Sequence, residues 1–156
     1  MNKIEIILKD KNDFISRYNN NRISRDLYKY IKDEIKLLDV TKKINIEIKP
    51  LFKMTDKEKE LLSRNIKKTC TEEINDIEFL EQKVLLKELM LLLLGAIIIF
   101  FCFLIKNTAF ISEIILIIGW LFIWESLDKL IFSRTENKLK IKRLKQIIKS
   151  DIDYIV

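Results

Sequence analysis

Residues 89–105 (Leu-Met-Leu-Leu-Leu-Leu-Gly-Ala-Ile-Ile-Ile-Phe-Phe-Cys-Phe-Leu-Ile) carry no charge, and nothing else in the 156-residue chain limits its fold as strongly. At about 1.5 Å of rise per residue, seventeen such residues reach the lower limit for crossing a hydrocarbon layer about 30 Å thick. The stretch therefore reads as a membrane span. The chain is 49% hydrophobic and 33% charged; these averages matter here because the two classes are segregated along the sequence.

The next residues, Lys106-Asn-Thr-Ala-Phe110, suffice only for a tight turn, so the sequence predicts a second span that returns antiparallel over residues 112–132. Residues 114–124 are continuously apolar, whereas Glu125, Asp128 and Lys129 enter before a full crossing is complete. Lys83 and Lys87 precede the first span, Lys129 and Arg134 close the second, and the turn offers only Lys106. The positive-inside bias then places both termini in the cytosol of a multi-pass membrane protein. The first residues lack a basic region followed by a long apolar stretch and a small-residue cleavage site, so insertion is expected to depend on the internal spans.

Outside the spans the periodicity changes. Residues 3–8 and 43–49 alternate isoleucine with polar residues and read as half-buried strands. Between them Ser24 precedes Leu27, Ile31, Ile35 and Leu38 at helical spacing, which completes a β-α-β unit. Thr55-Asp-Lys-Glu58 has the spacing of a capping box. It opens a long helix whose stripe, Leu62, Ile66, Cys70, Ile74, Ile77, Leu80 and Val84, packs either within the domain or on a second copy. After the second span, residues 134–149 form a basic amphipathic helix, and Ile152, Tyr154 and Val156 alternate as a third strand would. The predicted fold is thus an α+β membrane protein: a two-helix transmembrane hairpin with a small cytosolic β-α-β domain completed by a C-terminal helix and strand. Its segments are residues 1–54 (β-α-β part), 55–88 (long helix), 89–106 (first span), 107–111 (turn), 112–132 (second span) and 133–156 (basic helix and final strand).

Composition narrows the chemistry. Histidine is absent, and Cys70 and Cys102 have neither disulfide-framework nor zinc spacing. Two glycines and one proline leave no phosphate-cradling loop. No nucleophile, base and orienting group occur together. The sequence accordingly points to no catalytic residue, metal or cofactor.

Charges at membrane depth are the first candidates for function, because burying them is costly. Folding the hairpin about its turn brings Asp128 to the level of Lys87 and Glu88. This predicts an inter-helix pair between Lys87 and Asp128, with Glu125 satisfied by Lys129 one helical turn on; the alternative is that these side chains extend into the headgroups. Glu113, near the turn, is either an interfacial carboxylate or part of a ring at a pore mouth. Trp124 suits the membrane interface, and Trp120, beside Gly119, is expected to pack on the first span. Arg134, Lys138, Lys140, Lys142, Arg143 and Lys145 emerge beside a span, where anionic lipid is the expected contact; nucleic acid is not expected without interleaved aromatics.

The stretch Asp13-Phe14, Ile23-Ser24-Arg25-Asp26-Leu27 and Tyr30-Ile31, followed by Gly119-Trp120, Trp124, Asp128 and a basic tail ending in alternating apolar residues, resembles a family of uncharacterised bacterial two-span membrane proteins. The chain departs from that pattern at Glu125-Ser126, where the family has Arg-Pro. The resemblance implies the two-span architecture and no particular activity. Three functional classes follow from these observations. The first is a non-enzymatic membrane-anchored interaction module with a protein partner still to be named. The second is an oligomeric effector or ion channel assembled through residues 55–88 and gated by the cytosolic domain. The third is a lipid-headgroup enzyme built around Glu125 and Asp128.

Overall fold

The computed structural model describes residues 2–16, 19–104 and 109–155, with side chains described at all of these except 19–21, 109–111 and 133. It is an α+β structure with three α-helices and a small sheet among the described residues. The strands are β1 (Asn2–Leu8), β2 (Ile15–Ser16), β3 (Asn19–Ile23), β4 (Ile44–Pro50) and β5 (Asp151–Tyr154). The helices are α1 (Arg25–Leu37), α2 (Asp56–Leu104) and α3 (Ala109–Ile148). The chain divides into two compact units, Met1–Asn75 with Lys140–Val156, and Asp76–Leu139.

In the first unit β1 and β4 pair in parallel with Ile4 opposite Ile46, and β5 pairs in parallel on the other side of β4 with Ile152 opposite Ile46. Alternation puts Ile4, Ile6, Leu8, Ile44, Ile46 and Ile48 on one face, all buried. The helices supply the facing layer: Leu27, Ile31 and Ile35 from α1, Leu62, Ile66, Cys70 and Ile74 from α2, and Leu144 and Ile147 from α3 are buried with them. Ser24 caps α1 by accepting the Leu27 N–H at 3.3 Å. Thr55 and Glu58 exchange the two bonds of a capping box at the start of α2, the Glu58 N–H to Thr55 Oγ1 at 3.3 Å and the Thr55 N–H to Glu58 Oε2 at 2.8 Å. Tyr154 ties β5 to α2 by donating to the Lys59 carbonyl at 2.7 Å. A small antiparallel ribbon, β2 with β3, follows β1 and was not expected from the sequence. Its asparagine-rich strand, Asn19-Asn-Asn-Arg-Ile23, shows no apolar alternation.

In the second unit the later part of α2 and the earlier part of α3 run antiparallel. The Cys102 thiol donates to the Ser112 carbonyl at 3.1 Å. Gly95 and Gly119 meet deeper in the pair, and they are the only glycines in the sequence. A Cβ on Gly95 would stand 2.9 Å from the Gly119 carbonyl oxygen, and one on Gly119 would stand 2.6 Å from Ile99 Cγ1. The helices therefore approach more closely than any side chain at these two positions would allow. Among the described residues α2 alone is long and apolar enough to cross a membrane, with a mean hydropathy of 2.5 over its most apolar window. The predicted tight turn at residues 106–110 falls largely outside the described residues.

Candidate functional site

The helix pair of the second unit has an unusual contact line. On α2 the inward positions recur every seventh residue, at Glu81, Glu88, Gly95 and Cys102; on α3 they recur at Ser112, Gly119 and Ser126. A seven-residue repeat keeps one seam in contact along two helices. Here the seam is small and polar instead of leucine-rich. Glu88 is 2% exposed and Ser126 is fully buried, its hydroxyl donating back to the Phe122 carbonyl at 2.8 Å. Glu88 Oε2 and Glu81 Oε1 are both buried without a hydrogen-bond partner. Apolar side chains occupy the outward faces: Leu93, Ile97, Phe100 and Phe103 on α2, and Ile117, Leu121, Ile131 and Phe132 on α3, are all half-exposed or more.

This seam corrects three expectations. The stripe on α2 continues inward through Ile74 and then Glu81, whereas Leu80 and Val84 are exposed. Over this length the contact repeats at 3.5 residues per turn, so the residues following Ile77 rotate away from the positions extrapolated from the first half. Lys87 and Asp128 are both exposed, and among the described residues no ion pair joins them. They lie one and two positions from the inward residues Glu88 and Ser126, and consecutive helix positions differ by about 100°. Lys87 instead lies within electrostatic reach of Glu125, and Lys129 within reach of Glu88. Trp120 is 54% exposed, whereas its neighbour Gly119 takes the contact position against Ile99.

The remaining candidates divide between exposed and engaged. Glu125 and Lys129 pair at 2.7 Å, as their one-turn spacing suggests. Glu113 is exposed on α3, and Trp124 is 66% exposed. Arg134, Lys138, Lys140, Lys142 and Lys145 are exposed. Arg143 is half-buried and differs from them, because its guanidinium donates to the Lys36 carbonyl in the last turn of α1 at 3.2 Å. Sequence reasoning treated it as one more free cation, since the tertiary packing of α3 on α1 leaves no local signal.

Sequence reasoning also passed over Glu81 and Glu88 as seam residues. The signal that could have found them is the seven-residue spacing through Gly95 and Cys102.

In the second unit a cavity of about 80 Å³ is walled by Leu80, Val84, Leu85 and Leu130. Its polar lining is Glu81, Arg134 and Asn137.

The first unit carries two polar features. On its open sheet face Lys3 bridges Glu47 at 2.6 Å, Lys49 bridges Glu5 at 3.4 Å, and Asn45 donates to Asp153 at 2.8 Å. Between α1 and α2, Glu73 accepts from Tyr28 and from Lys32, each at 2.5 Å. Burial, with the Glu73 carboxylate beside it, pushes the Tyr28 hydroxyl well above its ordinary range. Burial likewise pushes the Cys70 thiol up to about 11. A thiol so placed stays protonated and unreactive at neutral pH. This cluster holds two helices together and leaves no free nucleophile.

A scan against protein-family models gives no match to the chain, and searches of the curated proteins and of the solved structures give none either.

Proposed function

We propose that the chain is a two-span membrane protein, a relative of the bacterial two-span proteins it resembles, whose helix pair anchors the small α/β unit at the cytosolic face of the inner membrane. There the unit works as a non-enzymatic interaction module. One observation carries this reading: along the contact line of the second unit Glu88, Gly95, Gly119 and Ser126 are buried, while large apolar residues such as Leu93, Phe100, Ile117 and Leu121 face outward. Water would drive the reverse arrangement; lipid tails fit this one, because helix association in a bilayer rests on close packing of small residues and not on burying leucine. The cation bias at Lys83, Lys87, Lys129 and Arg134 supports cytosolic termini. Arg134 and Lys138, exposed close to the second span, are suited to anionic headgroups.

The test is extraction of membranes with alkaline carbonate, with the arginine variant Leu93→Arg alongside. The wild-type chain is expected to stay in the pellet, and reporters fused at either end are expected to be active only in the cytosol. The arginine, placed at mid-span, should reduce insertion by about 3 kcal/mol in apparent free energy. Recovery of wild-type protein in the supernatant would overturn the anchor.

A second reading, an oligomeric effector or channel, draws on the exposed carboxylate of Glu113 on α3. Native mass in nanodiscs separates the two readings. A closed assembly of four or more copies favours the effector, and a monomer or dimer favours the anchored module.

A further inference from the structure

The cavity of the second unit is lined by one acidic and one basic side chain, Glu81 and Arg134. One Glu81 oxygen, Oε1, is buried without a hydrogen-bond partner. Among the described residues no ion pair joins the two side chains, although both line one small space. Asn137 adds an amide beside Arg134, and the rest of the wall is aliphatic. A ligand suited to this lining carries a cation that donates hydrogen bonds, an anion for a guanidinium, and an apolar tail.

The depth of the cavity identifies where such a ligand would come from. This step rests on the membrane reading above. A hydrocarbon layer about 30 Å thick takes about twenty helical residues, which extends from Leu104 back to about Leu85. Glu81 is one helical turn below that limit, about 6 Å, at the level of lipid headgroups. Around it Phe79, Leu80 and Leu86 are each 57% exposed or more, so acyl chains can reach the cavity wall from the bilayer.

We propose that this cavity binds the headgroup of a zwitterionic aminophospholipid, a phosphatidylethanolamine. The ammonium donates to Glu81, the phosphate accepts from Arg134 and Asn137, and the upper acyl chain lies on Val84, Leu85 and Leu130. A primary ammonium supplies the donor that Glu81 lacks, and a guanidinium suits phosphate oxygens geometrically. A choline headgroup has no N–H to donate. A glycerol headgroup brings an anion to the Glu81 carboxylate with no cation to offset it.

The test uses the purified full-length chain in mild detergent. Phosphatidylethanolamine, phosphatidylcholine and phosphatidylglycerol with identical acyl chains are titrated in turn, and bound lipid is read by native mass spectrometry. One ethanolamine lipid per chain is expected, held about ten-fold more tightly than either competitor. Glu81→Gln should bring ethanolamine down to the level of choline, and Arg134→Gln should weaken ethanolamine and glycerol lipids alike. Far-UV circular dichroism and thermal unfolding confirm that both variants remain folded; if either does not, Glu81→Asp and Arg134→Lys replace them, with reduced ethanolamine selectivity expected. Equal binding of all three lipids, a preference for phosphatidylglycerol, or an ethanolamine preference that survives Glu81→Gln would overturn the proposal. So would binding of soluble phosphoethanolamine as tight as that of the lipid, since the apolar wall would then contribute nothing. Carbonate extraction keeps the two readings apart: an integral protein without lipid selectivity loses only this site, and an extractable one loses the anchor.

Discussion

The two stretches of α2 are one helix by hydrogen bonding and two by the pattern of their side chains. In the first unit its inward residues are Leu62, Ile66, Cys70 and Ile74, with charged side chains such as Lys68 and Glu72 outside. In the second its inward residues are Glu81, Glu88, Gly95 and Cys102, with leucine, isoleucine and phenylalanine outside. The helix keeps its backbone geometry and inverts its polarity. Burial of apolar surface accounts for the first stretch, about 25 cal/mol per Å² removed from water. In the second, half-buried Ile98, Ile99, Phe122 and Ile123 flank a contact line of small and polar residues. There the close approach at the glycines adds van der Waals packing.

The largest expected effect tests that contrast directly. Ile66→Ala should cost about 2–5 kcal/mol, because it opens a cavity in a fully buried position, whereas Leu93→Ala should stay within about 0.5 kcal/mol. Chemical denaturation in detergent, followed by far-UV circular dichroism, reads both. Comparable losses would mean that Leu93 faces protein and that the inversion is absent.

Next come the glycines. Gly95→Ala should destabilise the helix pair by about 1–3 kcal/mol, since its Cβ would meet a backbone oxygen that cannot turn aside. Gly119→Ala should cost less, because its closest neighbour is the Ile99 side chain. A disulfide-trapping assay across the pair, or unfolding in graded dodecyl sulfate, would rank them. The reverse order would show that the helices yield more readily than Ile99.

Glu88→Gln sharpens the comparison from the polar side. A buried carboxylate oxygen without a hydrogen-bond partner, such as Glu88 Oε2, is a cost to the fold, so the amide should leave stability unchanged or raise it by about 1 kcal/mol. A clear loss in the same unfolding assay would mean that Glu88 is held by a cation, Lys129 being within electrostatic reach.

The smallest effect belongs to the first unit. Glu58 accepts from Lys11, and then from the backbone and hydroxyl of Thr55, which hold its carboxyl at about 2 against an ordinary 4.5. A carboxyl lowered on folding adds stability that is full above pH 4.5 and is lost as pH falls toward 2. Glu58→Gln should therefore lower the melting temperature at pH 7 and make no difference near pH 2. A difference that persisted at low pH would assign the effect to shape and not to charge.

Much of the first unit could be read in the sequence because its determinants are local. Alternating isoleucines mark β1 and β4, Ser24 and Thr55 mark helix starts, and the final alternation marks β5, which joins the same sheet; its place beside β4 came only from the structure. The ribbon of β2 and β3 was not legible, because its residues follow no hydrophobic period. Arg143 was misassigned for a different reason. Its partner, the Lys36 carbonyl, is distant in sequence and becomes a neighbour only when α3 packs on α1.

In the second unit the uncharged run by itself determined that α2 is long and apolar enough to cross a membrane, since length and composition are sufficient for that. Which residues face one another was decided only by tertiary structure. Two glycines set the separation and register of the pair, and a shift of one residue turns a helical side chain by about 100°. That register takes the expected pair Lys87 and Asp128 off the contact line and puts Glu88 and Ser126 on it. A linear sequence contains all four residues and cannot say which two are buried, because the phase between two helices is a property of their packing and not of either helix alone.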